Sequence, residues 1–479
     1  MNALRSSLAL LAVVLAGLGI VEAAFRESSG DLAERGLRFS LAAVGGLGLW
    51  SSTYAVALFT IGTSTAVLML KDSLLALGGA ALLIRVRPSP AVARAVAAAP
   101  AGPRWAGRAL ALLFGVAVLI AVIVFVIRVM RTPDGFWDAW AIWNLRARFF
   151  VRVPGDLALA LSPELGWNTH QDYPLMLPGL TAQAWSVAGY EWLAAPAILG
   201  GLFALGVTAT LTSGVTLLRG AVTGVTAGLV LLGTSAFLRM ASHQVADVPL
   251  ATFALMASVL VAVTIEQPDR PVGPLLVLAG VIASMGAWTK NEGILHAVAL
   301  MTALFFFQSR STPLTDRVRQ LGWFASGALP IVALLTYFKL AYAPPNDLVK
   351  DSSVIEIIRR AAALPRYQMV LGALWQRVQQ VNDWNSFLAL LPLFLIGFRR
   401  RQPFPPAGRV ALAAALLVLG GFVAVYLLTP RDLDWHLRTS MDRVLMQWWP
   451  SFIFATFLAL PSPEAHRLPL ARHHPPHKS

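Results

Sequence analysis

Cysteine is absent from this 479-residue chain, which excludes disulfides and Cys-ligated metals while leaving the redox compartment open. Lysine is nearly absent too: five residues, at 71, 290, 339, 350 and 478, against 33 arginines. No Walker loop, G-x-S-x-G, H-E-x-x-H or dinucleotide fingerprint occurs, so no soluble nucleotide chemistry announces itself. No basic, aromatic-interleaved soluble domain is present, and nucleic acid is excluded as a partner. Neither a 20–50-residue repeat nor an inverted duplication is visible, which argues against solenoids and against most transporters.

What remains is apolar. Hydrophobic residues make up 57% of the chain and charged ones 13%, with a mean hydropathy of +0.66. Repeated apolar runs approach the ~20 residues needed to cross a bilayer, so the expected fold class is an all-α polytopic membrane protein. The net charge of +14 suits anionic headgroups or lipid phosphates, making membrane lipids expected partners.

The runs fall near residues 8–25, 39–61, 65–84, 109–127, 193–218, 221–238, 248–265, 273–289, 293–308, 321–338, 386–398, 410–428 and 446–460, which predicts thirteen spans. The first has Arg5 before it and reads as a retained span rather than a cleaved signal. Between the third and fourth lies an Arg/Ala/Pro-rich loop with no acidic residue, which the positive-inside rule places in the cytoplasm. This divides the chain into N-terminal helices with their basic loop (1–108), a transmembrane core (109–460) and a Pro/His/Arg-rich disordered tail (461–479). The run at 174–189 is read as an interfacial or re-entrant helix, because counting it as a span would put the arginines at 219 and 309–320 on the wrong side. The loops 128–192, 339–385 and 430–445 then share one face, the periplasmic one, and so does the unusual chemistry.

The longest polar segment of the first half contains DGFWDAWAIWNLRARFF, residues 134–150. At about 100° per residue, Phe136, Trp140, Trp143, Ala147 and Phe150 share one helix face and Asp134, Asp138 and Arg152 the other. The spacing predicts a helix flat on the membrane, with a tryptophan stripe in the headgroups and the acids outward. Further along, HQDYPLMLP brings His170, Asp172 and Tyr173 to a turn set by Pro174. His243 and Asp247, four apart, are expected on one helical face, but two ligands do not make a zinc site, and no metal or cofactor is assigned. TKNEG at 289–293 offers Lys290 either to a phosphate or to Glu292 within a polar hairpin. Late in the chain, DLDWHLRTSMDR gathers Trp435, His436, Arg438 and Arg443, whose guanidinium forks suit phosphate oxygens or bulk lipid.

At these residues the chain resembles the GT-C superfamily of polytopic glycosyltransferases, in particular bacterial members related to aminoarabinose and protein O-mannosyl transferases, over about 109–460. The pieces that carry the resemblance are the loop acid in WDAWAIWNLRAR, the loop helix opening at YPLMLP, the acid Asp247, TKNEG and WHLRTSMDR. The resemblance implies a GT-C-type bundle of about 13 transmembrane helices in a bacterial inner membrane. It also implies a sugar donor on a polyprenyl phosphate such as undecaprenyl phosphate, used on the periplasmic side with an unidentified acceptor. Asp138 matches the acid that activates the acceptor hydroxyl, with Asp134 as its near neighbour; Ala139 stands where many members have a second acid. Lys290, Arg443, Arg438 and His243 become candidates for the donor phosphate. His170, Asp172, Tyr173, Asp247, Glu292, Trp435 and His436 become candidate substrate contacts. A polysaccharide polymerase or ligase, a lipid-linked glycan transporter and a non-catalytic scaffold are the competing classes.

Overall fold

The computed structural model describes residues 2–26, 31–86, 104–166, 169–346, 353–379 and 404–459, and among these every regular element is helical. In chain order the helices are α1 (Asn2–Phe25), α2 (Leu32–Thr60), α3 (Thr65–Arg85), α4 (Arg104–Arg131), α5 (Asn144–Arg152), α6 (Leu157–Ala160), α7 (Met176–Ala188) and α8 (Ala194–Arg219). They continue as α9 (Ala221–Leu232), α10 (Ser235–Ser242), α11 (Asp247–Glu266), α12 (Val272–Thr289), α13 (Glu292–Phe307) and α14 (Leu314–Ala341). The last four are α15 (Val354–Ala362), α16 (Leu364–Gln379), α17 (Pro406–Leu428) and α18 (Leu433–Ala459).

Nine of the helices described are long and apolar enough to cross a membrane, so the chain is an α-helical multi-pass protein. They coincide with nine of the thirteen expected spans. Of the other four, 221–238 is a bent pair, α9 and α10, with a 65° turn between them. The break falls at Gly233 and Thr234, and Trp449 fills it by donating its indole N–H to the Thr234 hydroxyl at 3.0 Å. The expected span 293–308 is the 16-residue α13, only about 24 Å long against a ~30 Å hydrocarbon core. The expected span 446–460 falls, as far as residue 459, on the second half of α18, whose first turns are polar, so the expected loop at 430–445 is mostly helix. The span 386–398, most of the basic loop at 85–108 and the tail lie outside the described residues. The 174–189 run forms the 13-residue α7, buried among its neighbours and too short to span.

Apolar composition alone does not decide what a helix faces. The most apolar stretch of α11 is 89% buried within the protein, whereas that of α4 is 0% buried and packs chiefly along α9 and α10. A helix apolar on all sides belongs either at the centre of a bundle or against lipid, and this chain has one of each. Around α11 stand α8, α12, α17 and α18. The three N-terminal helices join this core rather than standing apart, because α2 lies along α7 and α8, and α1 touches α12. Polar clasps fix the seam. Ser51 donates to the Met176 carbonyl at 2.7 Å, and Gln183 of α7 reaches the Asp72 carboxylate of α3 at 3.1 Å.

Candidate functional site

At one end of the bundle the breaks between helices face one another across a cavity of about 980 Å³, at the upper end of the range for ligand pockets. Its walls are the Asp138 turn, the His170–Tyr173 turn, the break before α11, the α12–α13 hairpin and the facing flanks of α17 and α18.

Asp138 owes its place to a departure from α-helical geometry. Residues Ala139–Trp143 form a π-turn before α5 begins, and its wider winding shifts the register of everything before it. Trp143, Ala147 and Phe150 are buried as a stripe, but against α7 and the core rather than in lipid headgroups. Phe136 and Trp140, expected on the same stripe, are instead 57% and 47% exposed. Asp138, expected to point outward, is 8% exposed and faces the cavity. Asp134 lies off the cavity, with a 57% exposed side chain 3.8 Å from Arg148.

A latch holds this turn. Gln244 sits at φ +58°, a conformation costing about 1 kcal/mol for a residue with a side chain. In return its amide donates to the Pro133 carbonyl at 2.9 Å and accepts from Asn144 at 3.3 Å. The Phe136 N–H donates to the His243 carbonyl at 3.1 Å, and the two rings stack at 4.6 Å. Gly135, at φ +78°, has no room for a side chain: a Cβ would lie 2.8 Å from the His243 carbonyl oxygen. His243 and Asp247 therefore do not share a helical face, since the break at Gln244 separates the end of α10 from the start of α11.

Asp247 is 0% exposed and anchors the cavity floor from behind. Its carboxylate accepts from Lys290 at 3.2 Å, Gln447 at 2.6 Å and Arg443 Nε at 3.1 Å. Lys290 also meets Glu292 at 2.8 Å. Arg443 continues outward to Asp138, Nη2 to Oδ2 at 2.5 Å. Burial alone would lower the pKa of Lys290 and Arg443, but Asp247, with Glu292 and Asp138, outweighs it and raises both. The α12–α13 turn that presents Lys290 is tight; a Cβ at Gly293 would lie 2.1 Å from the Gly286 carbonyl oxygen.

The His170–Tyr173 turn is built on Arg146, a residue that composition and spacing did not single out. Fully buried, its guanidinium donates to the carbonyls of Thr169 and Tyr173, both at 2.8 Å, and to that of His170. Tyr173 stacks between Trp143 (5.6 Å) and His170 (4.6 Å). Burial raises its pKa, so the hydroxyl stays protonated. Asp172 ties the wall to its neighbours, accepting from Asn291 at 2.7 Å and Asn346 at 2.9 Å, while Lys339 donates to its carbonyl. Asn291, Lys339 and Asn346 join elements distant in sequence, and no local pattern marks them.

On α18, residues 435 to 444 run about 14 Å down the cavity wall, from Trp435 and His436 to Arg443 and Val444. Arg438 also lines it, although its 2.9 Å pair with Asp434 is largely exposed. Burial and Arg431 lower the His436 pKa to about 4, and burial with Arg239 does the same for His243, so both rings are neutral near pH 7. Leu295, Phe422 and Val425 give the same cavity an apolar part of its wall. The cavity thus joins four carboxylates, Asp138, Asp172, Glu292 and Asp442, with several cations and a greasy flank. Among the described residues no group of three or more His, Asp or Glu is placed to hold a metal. Comparisons with protein-family models, with curated proteins and with solved structures return no match to this chain.

Proposed function

We propose that this protein is a membrane glycosyltransferase that moves a sugar from a polyprenyl phosphate, such as undecaprenyl phosphate, to a lipid, glycan or protein acceptor at the periplasmic face of a bacterial inner membrane. One observation carries the reading: Asp138 and the paired cations Arg443 and Lys290 line one cavity whose wall continues as the apolar flank of Leu295, Phe422 and Val425. A phosphate with a lipid tail needs such a junction of cation and grease. Asp138 takes the proton of the acceptor hydroxyl as that oxygen bonds to the sugar's anomeric carbon. The bond from that carbon to the phosphate oxygen breaks, and its electron pair stays on a phosphate stabilised by Arg443 and Lys290. Neutral His243 and His436 add hydrogen-bonding capacity without adding charge.

The bend between α9 and α10 favours one other reading, a lipid-linked glycan transporter, because broken helices flank substrate sites in such proteins. One experiment separates the two. Purified protein in liposomes is given a labelled polyprenyl-phosphate sugar together with an envelope extract. Label moving into a lipid, glycan or protein fraction supports the transferase. Donor that crosses the bilayer unreacted supports the transporter and ends the enzymatic reading.

A further inference from the structure

Arg443 is shared between two carboxylates that differ in kind. Asp247 is fully buried and accepts an aligned hydrogen bond from Nε at 3.1 Å. Asp138 lines the cavity, and its 2.5 Å contact with Nη2 is an ion contact without hydrogen-bond alignment. Among the described residues neither Asp138 Oδ2 nor Arg443 Nη2 makes a hydrogen bond. The ion pairs around them do not balance either: among the described residues Lys290 and Arg443 pair with three carboxylates, Asp247, Glu292 and Asp138. A phosphate added to this arrangement would bring further negative charge.

We propose that Asp138 acts as a built-in stand-in for the ligand phosphate, occupying Arg443 while the cavity is empty and giving it up when the phosphate arrives. This rests on the reading of the cavity as a lipid-phosphate site. Arg443 keeps its Nε bond to Asp247 as a pivot, and its outer N–H groups pass from Asp138 to phosphate oxygens, which a planar guanidinium can engage in two aligned bonds. No bond to carbon changes in this step. Its consequence is order: Asp138 is released to accept a proton only after the donor is seated, so the base is unmasked by the substrate it serves.

The exchange makes a counterintuitive claim about binding, because removing the charge of Asp138 removes a competitor. Affinity for farnesyl phosphate, with farnesol as control, is measured for detergent-purified wild type, Asp138→Asn and Asp138→Ala. Both variants are expected to bind the phosphate about tenfold more tightly, the scale of one charge-assisted contact, with farnesol binding unchanged. In an Arg443→Gln background the same substitutions should no longer tighten binding. Using two replacements guards against a local packing artefact in either. Wild-type binding as tight as, or tighter than, that of both Asp138 variants overturns the exchange and leaves the donor reading standing. Failure of all three proteins to bind farnesyl phosphate overturns the donor reading, and the exchange with it.

Discussion

Two buried ionic knots among the described residues are not equivalent. One joins the start of α2 to the loop before α12: Glu34, 0% exposed, receives Arg38 and, at 2.6 Å, Arg270, while Arg38 also meets Glu22 at 2.6 Å. Both guanidiniums lie over the Phe25 ring, at 4.6 and 5.6 Å. Among the described residues two cations pair with two carboxylates, a balanced, closed knot. The other, around Asp247, lies some 20 residues along α12, roughly 30 Å away. There two cations meet three carboxylates, the Asp138 contact lacks alignment, and the group opens into a large cavity. Buried charge by itself is therefore no mark of a site, since neutralised knots also staple helices together. Imbalance and access separate the two.

Substitutions should divide along the same line. The largest effect is expected for Asp138→Asn, which keeps size but removes the proton acceptor; transfer should fall about 10²–10⁴-fold. Asp134→Asn, exposed and off the cavity, should leave transfer near the wild-type rate. Rates from the labelled-donor assay decide it, and the reverse pattern would move the base one turn earlier. In the closed knot, Glu34→Ala removes a carboxylate that two arginines share, leaving Arg38 with Glu22, and should destabilise the fold by about 3–5 kcal/mol. Thermal unfolding in detergent should show that loss while prenyl-phosphate affinity in the surviving folded protein stays unchanged.

Next in size, Lys290→Ala and Arg443→Ala should each weaken binding of a polyprenyl phosphate by about 1.5–3 kcal/mol, the worth of a charge-assisted contact. Unchanged affinity in both would make the cavity knot as structural as the closed one. The smallest effect concerns pH. His436 titrates near 4 in the folded protein against 6.5 for a free side chain, so the unfolded chain binds the extra proton between those values. Its contribution to stability is present above pH 6.5 and lost as pH falls toward 4. His436→Gln should therefore lose less thermal stability than wild type over that window, and identical curves would remove the histidine from the account.

Much of this was legible in the sequence. Runs of apolar residues located nine crossing helices, and the polar interruptions named Asp138, Asp172, Asp247, Lys290, Glu292, His436 and Arg443, all of which the fold gathers at one end. What was hidden lay in geometry that no periodicity carries. The π-turn at Ala139–Trp143 undoes the regular 100° step, so a stripe read as lipid-facing became core and an outward acid became an inward one. The left-handed Gln244 breaks the helix on which His243 and Asp247 would have been neighbours. Arg146 and Asn346 act through carbonyls and carboxylates far along the chain, contacts that only the fold creates.

Where a lipid phosphate sits is the most direct test of the account. A prenyl phosphate with a photoreactive group next to its phosphate, irradiated with the protein in lipid nanodiscs and mapped by peptide sequencing, should label residues 288–295 and 422–444 around the cavity. Excess unlabelled prenyl phosphate should suppress that label. Label spread along the lipid-facing α4, or gathered near Glu34 and Arg270, would contradict the claim that the open knot is the binding site and the closed one a staple.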